Sequence, residues 1–302
     1  MRSHHKQFLL ITVFLLMLSC NTKQKDENRD KSNDLKKLNL YGAVKTLKEK
    51  NYTETGKNTN IIKFNKNGQI INQASFNNDS TLIRRFIFKY EEGKISSQKC
   101  FITGDTLSFK TKFNYSPQHK LISTKIIEKN GTSATRSSFE YDNHGNQITE
   151  TYFNKDGSIE KSINKTFNEQ NQVILSKNIN NIQNNRWIKK FKYNNEGLKS
   201  QKSIFSFNQD TLIQKIKYYY TNNNQVSKKI INQPIKNKNE TRHYQYDKYG
   251  NVTKIKTYYG QKKQKTKSIS YSYDKKGNWI RALTKINGKT KKISNRNFKY
   301  YN

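Results

Sequence analysis

The chain has 302 residues, enough for one large domain or two ordinary ones. Hydrophobic residues make up 32% and the net charge is +36, a balance that would suit a disordered chain, yet aromatic residues reach 12%. Two prolines and thirteen glycines exclude collagen-like and proline-rich classes, and past residue 20 one cysteine and three histidines leave little for disulfide or metal chemistry.

The N-terminus carries an address. Arg2 and Lys6 precede an apolar run from Phe8 to Leu18, which ends at Ser19-Cys20. That order of charged, apolar and small residues is an export signal, and the run is shorter than the roughly 20 residues of a membrane-spanning helix. Leu16-Met17-Leu18-Ser19-Cys20 resembles a bacterial lipobox, which implies removal of residues 1–19 and acylation of Cys20. Two or three acyl chains anchor stably, at about 0.8 kcal/mol per buried methylene. Residues 20–37 read as a lipidated, flexible tether, with six basic and four acidic residues and no aromatic between Asn21 and Lys37. Inside it, Gln24-Lys25-Asp26-Glu27 resembles the acidic export signal of Bacteroidetes surface lipoproteins. The resemblance implies an outer-membrane, lipid-anchored, surface-exposed protein.

Residues 38–302 are a repeat. An aromatic residue before a turn recurs at Phe64, Tyr90, Tyr115, Tyr141, Phe167, Tyr193, Tyr220, Tyr246, Tyr273 and Tyr300, spaced by 25 to 27 residues. Two residues earlier stand Ile62, Phe88, Phe113, Phe139, Lys165, Phe191, Tyr218, Tyr244, Tyr271 and Phe298. Eighteen of these twenty positions are aromatic, so each unit carries two rings on one face of a strand. The turn follows as Tyr-Asp-x-x-Gly-Asn, with Asp142 and Gly145, Asp247 and Gly250, Asp274 and Gly277 in structural turn roles. Asp accepts backbone N–H bonds there, and Gly supplies the positive φ. Where Gly is missing the position holds His119, Asn171 or Asn224, side chains enriched in the left-handed region. A second strand and a looser turn complete each unit, giving roughly twenty antiparallel strands in all.

These turns resemble the YD repeats of Rhs-type proteins. The 26-residue period and the segment Leu40-Tyr41-Gly42-Ala43-Val44-Lys45 are similar to Rhs-repeat-like lipoproteins of Bacteroidetes. The chain stops at the tenth aromatic pair, so the resemblance implies a fold rather than toxin delivery. The expected fold is all-β: an elongated, twisted antiparallel meander of about ten 26-residue hairpin repeats, coiled or partly wrapped but too short to close. A MORN-like hairpin array is the alternative. Units in such an array couple to neighbours, so a terminal unit should matter less than an internal one.

Candidate chemistry is sparse. His119, His144 and His243 have no ligand spacing around them, Cys100 reads as a small buried residue, and no catalytic motif appears. No catalytic, cofactor or metal site is expected. Tyr249, Tyr258, Tyr259, Trp187 and Trp279 lie outside the repeat positions and are freer to stack on a ligand. Residues 252–302 hold fifteen Lys and Arg against one acid, Asp274. Lys262, Lys263, Lys265 and Lys267 cluster there as a candidate polyanion contact, with the odd-numbered three on one strand face. The expected partners are the membrane, through the lipid, and an anionic glycan, lipopolysaccharide or protein. An outside address argues against nucleic acid. The sequence thus favours a non-enzymatic interaction scaffold at the cell surface. A toxin-neutralising immunity protein or an envelope spacer stands as the alternative.

The address is testable by labelling. Palmitate incorporation in the native bacterium should depend on Cys20, and Cys20→Ala should release the protein to the soluble fraction. A mutant that stays in the membrane would remove the lipid anchor from this reading.

Overall fold

The computed structural model describes residues 33–207, 211–260 and 263–302. The signal run, Cys20, tether residues 20–32, Lys262 and the looser turn at Asn208-Gln209-Asp210 lie outside the described residues.

Local structure follows from turn chemistry. In the turn after Tyr141, Asp142 Oδ1 accepts the N–H groups of His144 at 3.0 Å and Asn146 at 2.8 Å. Asp247 and Asp274 accept the equivalent pairs, each at 2.9 Å. Gly145 closes its turn at φ +82°, a conformation that strains a side chain bearing Cβ. His119, Asn171 and Asn224 take the same role at φ +65°, +57° and +59°. Each such turn also forces one extra residue into the strand that follows, so the register slips beside the turn-side aromatic, as at Lys63/Phe64, Glu140/Tyr141 and Ser272/Tyr273.

Twenty strands result, from β1 (Val44–Thr53) to β20 (Lys289–Tyr300), each antiparallel to the next. The chain does not stay open. β20 pairs with β1 in a continuous antiparallel ladder that includes Leu47↔Phe298, Glu49↔Arg296 and Asn51↔Ser294. The molecule is therefore a closed twenty-stranded barrel, and the expectation of an elongated, open meander is corrected, along with its MORN-like alternative. The physical reason lies in the edges and the bulges. An open sheet would leave two unpaired edges and an aromatic face in water. Nine such bulged hairpins twist and coil the sheet in one sense until its ends meet.

The two faces of the wall differ. Along β20 residues 295, 297 and 299 are exposed, while 294, 296, 298 and 300 are not. The same alternation runs along β12 (Asn185–Tyr193), where Lys190 and Lys192 are exposed and Trp187, Lys189 and Phe191 are half-buried. Side chains splay apart on a convex surface and crowd on a concave one, so the face carrying the aromatic pairs is the inner one. At about 4.8 Å per strand, twenty strands give a perimeter near 100 Å, too wide for side chains to fill.

The main apolar core sits at the seam. Leu35, Leu40, Val44, Leu47 and Phe64 are buried together, with Leu38, Ile62, Ile70, Phe298 and Tyr300 packed against them. Leu35 comes from α1 (Asp34–Lys37), a single turn inside the stretch read as tether. Asn33 caps it by accepting from Leu35 N–H at 2.8 Å. Asp34 Oδ2 accepts from Ile70 N–H at 2.8 Å, tying the turn to β3 (Ile70–Phe76).

Two variants test this architecture by chemical denaturation. Leu47→Ala should cost about 2–5 kcal/mol, because it empties a buried site at the seam. Gly145→Val should cost more than about 1 kcal/mol through strain at positive φ. Removing residues 289–302 should abolish cooperative unfolding. A truncated protein with a near-native transition would count against closure.

Candidate functional site

The inner wall brings cations and rings into one surface. Its positions are those that share a face with the repeat aromatics, and the ladders assign them. From β10 (Ile159–Phe167) to β18 (Lys263–Tyr273) they include Lys161, Lys165, Lys189, Lys202, Lys229, Arg242, Lys265 and Lys267. Rings stand between them. Lys161 Nζ lies 5.3 Å from the Tyr152 centroid, Lys189 Nζ 5.8 Å from Trp187, and Lys199 Nζ 4.5 Å from Phe191. Lys229 Nζ lies between Tyr218 and Tyr244, at 5.3 and 5.4 Å. Such contacts contribute about 0.5–1 kcal/mol each where exposed and more where desolvated.

Some inner cations are neutralised by the wall itself. Lys165 pairs with Glu150 at 2.5 Å, Arg296 with Glu49 at 2.7 Å, and Arg242 with Glu240. Arg296 also lies over the Trp279 ring at 3.5 Å. The residues lining the hollow beside the Asp142 turn include His144, Lys165, Glu169 and Asn171. Among the described residues no group of three His, Cys, Asp or Glu converges as a metal site. Cys100 is a buried free thiol whose pKa burial pushes up, the opposite of a reactive thiolate.

The rim bearing the Tyr-Asp turns is stitched. Tyr90, Tyr115, Tyr141, Tyr193, Tyr220 and Tyr246 each donate their hydroxyl to a backbone carbonyl of the adjacent strand, at 2.7 to 3.0 Å. Near the C-terminus the acceptor changes. Tyr273 donates to Asp247 Oδ2, and Tyr300 donates to Asp274 Oδ2 at 2.5 Å. Each of these two aspartates therefore braces its own turn with one oxygen and receives the next unit's tyrosine with the other. Asn278, 2% exposed, holds the N-terminal segment across this rim. It accepts from Tyr41 N–H and donates to Tyr41 C=O, both at 2.8 Å, and donates to Tyr300 Oη at 2.9 Å.

The residues singled out by sequence divide by location. Asp142, Gly145, Asp247, Gly250, Asp274 and Gly277 all stand in rim turns. Lys263, Lys265 and Lys267 oppose Tyr259, Thr257 and Ile255 of β17 (Val252–Tyr259) in the strand register, with Lys265 and Lys267 on the inner face. Tyr249 packs against Tyr273 with the rings tilted and their centroids 4.3 Å apart. Tyr258 meets His243 edge-on at 5.7 Å on the outer face. Sequence reasoning missed Lys161, Lys189, Lys199 and Lys202 as a group. The readable signal was parity: Lys189 stands two residues before Phe191 and shares its face.

No protein-family model matches the chain, and no curated protein matches it. Among solved structures it is similar to the "Crystal Structure of TcdB2-TccC3-Cdc42", at 12% identity and a TM-score of 0.46. That match covers 74% of this chain and 14% of the other. It is also similar to a porin-like protein from Bacteroides uniformis ATCC 8492, at 12% identity, TM-score 0.35 and coverage of 85% and 96%. A porin-like protein from Bacteroides vulgatus ATCC 8482 matches at 9% identity, TM-score 0.32 and coverage of 85% and 98%. No activity is carried over from any of them.

The stitched rim predicts sensitivity to alkali. Burial, then the hydrogen bond to Asp274, push Tyr300 up to about 12, and burial with Glu150 pushes Tyr152 up to about 12. An unfolded tyrosine ionises near about pH 10, so this stabilisation is present below pH 10 and is lost as pH rises towards 12. Denaturation midpoints should fall over that interval, and less steeply in Tyr300→Phe. Asn278→Ala should cost about 1–3 kcal/mol at neutral pH, because the buried Asn278 amide holds Tyr41 N–H, Tyr41 C=O and Tyr300 Oη together and all three bonds are lost.

Proposed function

We propose that the chain is a non-enzymatic lipoprotein, held at the outer membrane and exposed at the cell surface by lipid on Cys20, whose barrel captures anionic glycan or other envelope polymers. The observation that carries this reading is the inner wall itself. It is too wide to pack against itself and is lined from β10 to β18 by cations interleaved with rings. The net charge of the full sequence is +36, of which residues 1–19 hold only Arg2 and Lys6, and it adds a long-range field that draws in polyanions.

The wall itself is a poor candidate for spanning lipid. Lys190 and Lys192 stand on the outer face of one strand and Lys189 on its inner face. A lysine facing lipid costs about 2–4 kcal/mol at the bilayer midplane, so neither face supplies an apolar band. Attachment then falls to the acyl chains, with the barrel held in water beyond the headgroups. Lys265 and Lys267 are β18's contribution to the polymer path, with Lys262 and Lys263 just ahead of them in the sequence. Nucleic acid would bind the same charges by counterion release, but the exported address sets it apart from the physiological partner.

The test is binding of the mature protein to heparin and to polygalacturonate as salt is raised. Binding should weaken steeply with salt. A variant with Lys262, Lys263, Lys265 and Lys267 changed to Gln should lose most of it at an unchanged melting temperature. Equal binding by that variant would remove β18 from the site. No binding by either protein would end the scaffold reading.

A further inference from the structure

We infer that Lys189, Lys199 and Lys202 form a discrete anion-binding subsite on the inner wall, which seats a carboxylate or sulfate group of a sugar polymer. The inference deepens the scaffold reading and rests on it, but it names a place that the charge-rich C-terminal stretch does not contain.

The strand register assembles the site. β12 pairs with β13 (Lys199–Ser206) so that Lys189 opposes Ile204 and Phe191 opposes Lys202. Lys202 has Ile216 on its other side, and Lys199 stands opposite Tyr193 at the bulge beside the turn. All three lysines project from one face of two adjacent strands, within a few residues of one rim. Lys161 joins them across Asn180 and Ser176, the inner residues of the strand between. Apolar surface floors the group: Trp187 lies beside Lys189, and Phe191 lies beneath Lys199.

Partial burial together with the lack of a carboxylate makes this cluster a site. Lys165, Arg242 and Arg296 each have a carboxylate at hand. Among the described residues, none of the ion pairs includes Lys161, Lys189, Lys199 or Lys202. The three central lysines are half-buried, so water compensates their charge only in part. Burial first, then Lys202 and Lys161, push the Lys189 ammonium down. Burial first, then Lys202, does the same to Lys199, and burial lowers Lys202. Clustered, partly desolvated like charges without a counterion destabilise a fold unless a ligand supplies the opposite charge. A bound anion relieves the repulsion and the desolvation together. The rings favour a sugar as its carrier, since Trp187 and Phe191 offer flat apolar faces to C–H groups while the lysines hold the charge.

The experiment uses Trp187 as a local reporter, in a Trp279→Phe background of the mature protein. The probes are a heparin tetrasaccharide, trigalacturonate and a hexathymidylate. The expected result is a saturable change in Trp187 emission with either sugar. Lys189→Gln with Lys202→Gln should weaken it at least tenfold, equivalent to about 1.4 kcal/mol. Lys190→Gln with Lys192→Gln, on the outer face of the same strand, should leave the change at Trp187 intact. The double variant should also melt no earlier than its parent, because two repelling charges are gone. Should it melt earlier, the parent protein decides: saturating sugar should protect Lys189, Lys199 and Lys202 from acetylation, and unprotected lysines would overturn the site. Sugar binding that persists in the double variant would overturn it too, and would leave the scaffold reading standing. Hexathymidylate binding as tight as either sugar would overturn the assignment to a glycan. Absence of polymer binding anywhere on the protein would remove the scaffold reading and this subsite together.

Discussion

The antiparallel ladder between β1 and β20 is the constraint on which the rest depends. Every other strand pair is joined by only a few residues of chain and forms locally. This one joins residues almost a whole chain apart, such as Asn51 and Ser294, whose side chains are hydrogen-bonded at 2.6 Å. Its loop-closure cost is the largest in the molecule, and it is met where the apolar core lies. The segment from Asn33 to Ala43 crosses the seam at the stitched rim. It is bonded to the turn at Gly68 on one side, by Leu35 N–H to Gly68 C=O at 3.3 Å, and to Asn278 on the other. A repeat protein usually ends in polar caps. Here each end caps the other.

Closure changes what the aromatics do. In an open sheet they would need a second layer to cover them. In the barrel they line a concave wall, where crowding among neighbours half-buries them and their hydroxyls bridge to the next strand. The rings are thus spent on lateral cohesion rather than on a filled centre, which is why so low a hydrophobic fraction still folds. The buried polar residues follow the same logic. Thr124 and Ser137 bond one another at 2.6 Å, and Asn178 donates to Ser176, all on the inner face. Small polar side chains there satisfy each other along and across strands and leave room for longer ones to lie down.

The hairpin turns were legible in the sequence because their chemistry is local. Asp142, Gly145 and their equivalents act within six residues, and the substitutions His119, Asn171 and Asn224 fall where a positive φ is needed. Closure was not legible, because alternation of side chains looks the same in a flat, coiled or closed sheet. The decisive contacts, Leu47 with Phe298 and Tyr41 with Asn278, carry no signature in either segment alone. The lysine clusters split in the same way. Lys262 to Lys267 stood out as a run. Lys189, Lys199 and Lys202 come from two strands and become neighbours only through register.

A bulged hairpin is also a unit of measure. Each contributes two strands to the circumference, so duplicating or losing one would alter the bore by about a tenth while leaving every remaining turn intact. The even strand count keeps β20 antiparallel to β1 after any such change. The seam would have to be rematched only where α1 and Asn278 meet the rim. Aperture in this architecture is therefore a counted quantity, adjustable in evolution by tandem copy number rather than by reshaping loops.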